Sequence, residues 1–153
     1  MTMSKSRGFT LLELVVVITI LAILAAFAVP KFIALDSQAR AANINGLAGS
    51  VKSAAALARG LSMATGSTAS VTMEGTAVTL LNSYPDATAA GIPLAVNANT
   101  AAGGDFAFTA GSGTTTAATW TKNGAPTPAT CVVSYTAAAA NATPAITSVT
   151  TGC

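Results

Sequence analysis

No charge falls between Leu14 and Pro30, and the apolar run reaches back to Phe9 with Glu13 as its one acid. From Phe9 to Val29 there are about 21 residues, which as a helix rising 1.5 Å each would cover roughly 32 Å. That matches the roughly 30 Å hydrocarbon thickness of a bilayer, so the pattern predicts a membrane-spanning helix. Beyond it, Phe32, Leu35, Ala39 and Ala42, then Ile44, Leu47, Val51, Ala54, Ala58 and Leu61, recur in steps of three and four. The spacing predicts that the helix continues to about Arg59, with Arg40, Lys52 and Arg59 on its polar side. Such a helix would be about 75 Å long, more than a compact domain of this size can bury, so its first half is expected to project. Pro30 removes a backbone donor inside it and predicts a kink or local opening. Gly60, or the neighbourhood of Gly66, is the expected stop.

The period then changes from 3.6 to two. Val71, Met73, Val78 and Leu80 alternate with small or polar residues around Glu74-Gly75, which predicts a hairpin. After a loop holding Tyr84-Pro85 and Ile92-Pro93, strands are expected at Phe106 and Phe108, at 116–122, at 130–136 and at 146–150, with Asn123-Gly124 as a turn. Trp120, Val132 and Val149 are expected to face inward. The resulting class is α+β: a long N-terminal helix, half membrane-suited and half amphipathic, packed on a small antiparallel sheet.

Charge gives this rod a direction. Lys5 and Arg7 precede the apolar run and only Lys31 follows it closely, so the N-terminus is expected in the cytoplasm and the bulk of the chain across the membrane. The run lacks a following Ala-x-Ala cleavage pattern, so the helix is expected to stay with the protein. With 153 residues, 8% of them charged, there is room for this helix and one small globular unit. The net charge is +2, and without Lys5 and Arg7 the two signs balance. That leaves no electrostatic case for nucleic acid.

Chemistry is excluded largely by what is missing. The chain has no His, no metal-ligand spacing and no Gly-rich phosphate loop, and Asp36, Glu74, Asp86 and Asp105 are scattered singly. We expect no enzyme, no catalytic residue, no metal and no cofactor. Cys131 and Cys153 both lie in the exported part, where a bridge persists; two reduced thiols are the alternative. A bridge closing about 23 residues would stabilise the fold by roughly 3 kcal/mol in the chain-entropy model. Trp120, Tyr84 and Tyr135 suit either a core or a sugar-stacking surface. The many Ser and Thr residues suit ordinary surface, or acceptors of O-linked glycans.

Lys-Ser-Arg-Gly-Phe-Thr-Leu-Leu-Glu-Leu at residues 5–14 resembles the N-terminal motif of type IV pilins and of type II secretion pseudopilins, a likeness that runs over about residues 5–33. The stretch from Pro30 to Leu35, the Cys131-Val-Val-Ser-Tyr135 segment and the run from Ile146 to Cys153 are similar to the mannose-sensitive haemagglutinin type of pilin. The resemblance implies cleavage between Gly8 and Phe9 by a prepilin peptidase, N-methylation of Phe9, a lollipop fold and assembly into a helical homopolymer by inner-membrane pilus machinery. It divides the chain into a removed leader (1–8), a transmembrane and filament-core helix (9–30), an amphipathic helix (31–60) and a β-sheet head with a C-terminal disulfide loop (61–153). It implies an inner-membrane precursor, then an extracellular pilus of a Gram-negative bacterium, used for adhesion or motility. A periplasmic type II pseudopilin is the alternative. A tethered binding module that never polymerises is a third class, and it would leave the Gly8-Phe9 junction without purpose.

Glu13 has two readings. Thr10-Leu11-Leu12-Glu13 spells a capping box, in which the two side chains satisfy the first free backbone donors of the helix. A carboxylate beside hydrocarbon also needs a cationic partner, and cleavage before Phe9 would create one. We therefore expect Phe9 and Glu13 to form the subunit-assembly contact, in cis or between neighbouring subunits.

Overall fold

The computed structural model describes residues 8–101 and 103–153, so Lys5 and Arg7 of the expected leader lie outside the described residues. The chain divides into two compact units, one ending at Asp36 and the other running from Ser37 to Cys153.

The first unit holds the start of helix α1 (Leu11–Thr65). Its large side chains have nothing to pack on: Phe9 is 88%, Phe27 76% and Phe32 69% exposed. Among the described residues α1 is long and apolar enough to cross a membrane, and its most apolar window is wholly unburied. The backbone stays helical through Pro30 in the isolated chain. The stripe beginning at Phe32 and Leu35 is likewise uncovered within one chain.

The second unit begins where that stripe finds partners. Ile44, Leu47, Val51, Ala54, Ala55 and Ala58 are buried along one side of α1, as their spacing requires. The helix passes Gly60 and ends at Thr65, nearly two turns beyond Arg59. Ser62 is buried and donates its hydroxyl to the Ser67 carbonyl at 2.7 Å, and Gly66 then takes φ +68°, a left-handed stop that glycine adopts without strain.

Two antiparallel sheets follow where one was expected. The first is β1 (Ser70–Met73), β2 (Thr76–Leu81) and β3 (Tyr84–Pro85), in that order. A short helix, α2 (Ile92–Ala95), leads to the second sheet: β4 (Phe106–Thr109), β5 (Ala118–Lys122), β6 (Val132–Thr136) and β7 (Ala145–Val149), again in chain order. Val71, Met73, Val78 and Leu80 of the first sheet close over Ala58. Trp120, Val133 and Tyr135 of the second pack with Ile44, Leu47 and Val51 of α1. The Phe108 and Trp120 rings meet at 5.0 Å between centroids.

The register corrects one expectation. Trp120 pairs with Val133, whereas Val132 pairs with Thr121 and Val149. Directly paired residues share a face, so Val132 and Val149 lie on the opposite face from Trp120, and Val149 is 39% exposed. Val133 and Tyr135 are the inward residues of β6. Tyr84, Tyr135 and Trp120 are all buried, which makes them core, not an exposed stacking surface.

Candidate functional site

The start of α1 is a closed capping box. Thr10 Oγ1 accepts from the Glu13 amide at 3.2 Å and donates to Glu13 Oε2 at 2.9 Å, while the Thr10 amide donates to the same Oε2 at 2.9 Å. Two of the free donors at the start of the helix, the Thr10 and Glu13 amides, are thus met by its own side chains. Phe9 and Gly8 precede the cap in exposed, non-helical backbone, so a Gly8-Phe9 bond in this conformation is sterically open. Nearly two turns beyond Glu13, Thr19 turns its hydroxyl onto the Val15 and Val16 carbonyls, at 3.0 and 2.8 Å, so that this donor is not bare on an apolar rod. The capping reading of Glu13 is therefore realised in the isolated chain, and the amine that the second reading requires is absent from an uncleaved one.

The other predicted pair lies in the second unit. Cys131 and Cys153 are joined by a disulfide across a sequence separation of 22. Their surroundings are stitched by backbone bonds: Thr127 N to Gly152 O at 3.1 Å and Gly152 N to Thr130 O at 3.0 Å. Gly152 is obligatory here, since a Cβ would fall 2.1 Å from Thr130 Oγ1 and 2.4 Å from the Thr127 carbonyl oxygen. Arg40, expected on the polar side of α1, instead donates from Nε to the Cys153 carbonyl oxygen at 2.5 Å. One signal for it was available: at 100° per residue, Arg40 falls on the same stripe as Ile44, four residues on.

Two further contacts had no sequence signal. The Tyr135 hydroxyl donates to the Pro85 carbonyl oxygen at 2.6 Å in full burial. Burial, with the nearby charge of Asp86, pushes that hydroxyl well above the ordinary tyrosine range. Lys122, mostly buried, is satisfied by Asp105 Oδ1 at 2.9 Å and by the Asp105 carbonyl oxygen at 3.2 Å. Among the described residues no group of His, Cys, Asp or Glu is gathered to hold a metal.

Residues 3–29 match the family model described as the prokaryotic N-terminal methylation motif. The chain's N-terminal segment is similar to that of a type IV pilin. It is also similar to the type IV narrow pilus major component PilA5 of Thermus thermophilus, at 50% identity over 54 residues, which is 35% of this chain and 47% of that relative. The chain thus spans about half the length of the curated relative it matches. No solved structure matches it. The family model covers the pilin-type helix start and does not reach the residues at 131–153 on which the haemagglutinin-type likeness rests.

Proposed function

We propose that this chain is the major structural subunit of a type IV pilus, polymerising into an extracellular filament that serves attachment or motility. The observation that carries the reading is the unburied apolar half of α1 behind a pilin-type methylation motif. A side chain as large as Phe27 or Phe32, left bare in one chain, needs either lipid or a second copy around it. The precursor has the first, in the inner membrane of a Gram-negative bacterium, and the filament supplies the second.

The steps are those that the resemblance implies, placed on this chain's residues. A prepilin peptidase cuts between Gly8 and Phe9, removing Lys5 and Arg7 with the leader, and the new Phe9 amine is methylated. The assembly machinery then lifts the helix out of the bilayer. Because lipid is as apolar as leucine, leaving it gains little hydrophobic energy, so packing and the polar Glu13 contact must select the position of each subunit. Glu13 exchanges its Thr10 cap for the Phe9 amine of its own or a neighbouring copy. Pro30, which lacks the N–H for an i−4 bond, is where the helix opens as subunits stack. The hydroxyl-rich heads then face outward, where glycans could be attached to Ser or Thr.

Shearing cells and examining the released material tests this reading. It requires long fibres that contain this chain. A chain confined to the periplasm in short assemblies would assign it instead to a type II secretion pseudopilin, and a chain found only as single membrane-tethered molecules would remove both.

A further inference from the structure

Within the second unit, α1 separates two clefts. At 100° per residue, Gly46, Ser50, Leu57 and Leu61 lie along one flank of its exposed ridge, and Lys52, Arg59 and Met63 along the other. The first flank borders a cleft of about 990 Å³ with Glu74 on its rim. The second borders a cleft of about 670 Å³ that holds Lys52, Arg59 and Tyr84 and is lined by no acid. The Arg59 guanidinium rests 4.6 Å from the centroid of the Tyr84 ring, which orders the cation within the cleft. Among the described residues no carboxylate pairs with Lys52 or Arg59.

The matching anion is displayed on the other flank. Met73 pairs with Thr76, so Glu74 and Gly75 form a two-residue turn, with φ of +49° and +80°. Turns with both central residues at positive φ fit the twist of a hairpin and hold their shape. Glu74 is exposed at this tip without a partner among the described residues. The other acids of this unit are engaged: Asp105 with Lys122, and Asp86 Oδ1 with the Ala87 amide at 2.6 Å.

We propose that the Glu74–Gly75 tip of one copy enters the Lys52–Arg59–Tyr84 cleft of a neighbouring copy. The inference rests on the reading that the chain polymerises. A helical homopolymer needs a heterologous contact, made by two different and complementary patches of the same subunit, and an anionic tip opposite a cationic cleft meets that requirement. Charge pairing of this kind fixes the register of a contact more than its bulk strength.

A charge swap tests it. Glu74→Lys should lower the yield of sheared fibres by about tenfold or more, because like charges brought together at an interface are strongly unfavourable. Lys52→Glu should lower it similarly, and the double variant Glu74→Lys with Lys52→Glu should recover to within about threefold of the unaltered chain, since the attraction is restored with its sign reversed. Membrane-held, disulfide-bonded subunit should be equally abundant in all four strains. Wild-type fibre yield from Glu74→Lys, as expected if the cleft takes a soluble anion, would overturn the contact alone. So would a double variant no better than the singles. No fibres from the unaltered chain would overturn the contact together with the polymerisation reading beneath it.

Discussion

Arg40 Nε and the Cys153 carbonyl oxygen lie 2.5 Å apart, tying α1 to the cystine loop across 113 positions of sequence. The bond joins a half-buried charged donor to a buried acceptor, a class worth about 1.5–3 kcal/mol. Arg40→Gln should therefore lower the midpoint of thermal unfolding of the detergent-solubilised chain by roughly 5–10 °C. An unchanged midpoint would mean that water replaces this donor without cost.

The disulfide and this bond act on the same segment, so their effects should not add. Replacing Cys131 and Cys153 together by Ser should cost about 2–5 kcal/mol and depress the midpoint by roughly 10 °C or more. Adding Arg40→Gln to the Ser pair should then cost less than it does alone, because the loop it anchors is already loosened. Differential scanning calorimetry of the four proteins reads the coupling directly.

Tyr135 makes the second unit sensitive to alkali. Its hydroxyl titrates above the ordinary range because burial, then Asp86, disfavours the anion. The folded chain therefore keeps a proton that the unfolded chain gives up near pH 10. This contribution to stability is fully present below about pH 10 and is lost as pH rises above it. Tyrosinate absorbance should show a group that ionises only together with unfolding. Tyr135→Phe should weaken the fold at neutral pH, by leaving the Pro85 carbonyl oxygen buried and bare, while flattening the alkaline decline.

The sequence was legible where one period ran long enough to bury a face. Ile44, Leu47, Val51, Ala54 and Ala58 carried the second half of α1, and Val71, Met73, Val78 and Leu80 around Glu74-Gly75 carried the first hairpin. Val149 was misplaced because a strand as short as β7 does not declare its face; the pairing with Val132 decides it, and that register is a tertiary property. Of the two expected stops the helix takes the one at Gly66, ending at Thr65, because Gly60 is tolerated inside a helix whereas Gly66 takes positive φ. At the site, Thr10 and Glu13 were readable because the capping box is local. Arg40 shares the Ile44 stripe, which hints that it turns inward, but its partner Cys153, like the Tyr84 partner of Arg59, lies far away in sequence, and no local pattern names such a partner.

Glu13 has a partner before cleavage and is proposed to take another afterwards. Glu13→Val should insert, fold its head and be processed at wild-type levels, yet release few fibres on shearing. Thr10→Ala, which removes the hydroxyl bonded to Oε2 but keeps the carboxylate, should assemble far better than Glu13→Val. Abundant fibres of normal length from Glu13→Val would remove the assembly role and leave this acid a helix cap alone.

The intact mass and N-terminal residue of the chain recovered from sheared fibres test the central claim most directly. The account predicts a chain that begins at a methylated Phe9, has lost residues 1–8 and retains the Cys131–Cys153 bridge. Recovery of a chain that still begins at Met1, or of fibres that contain none of it, would contradict the account.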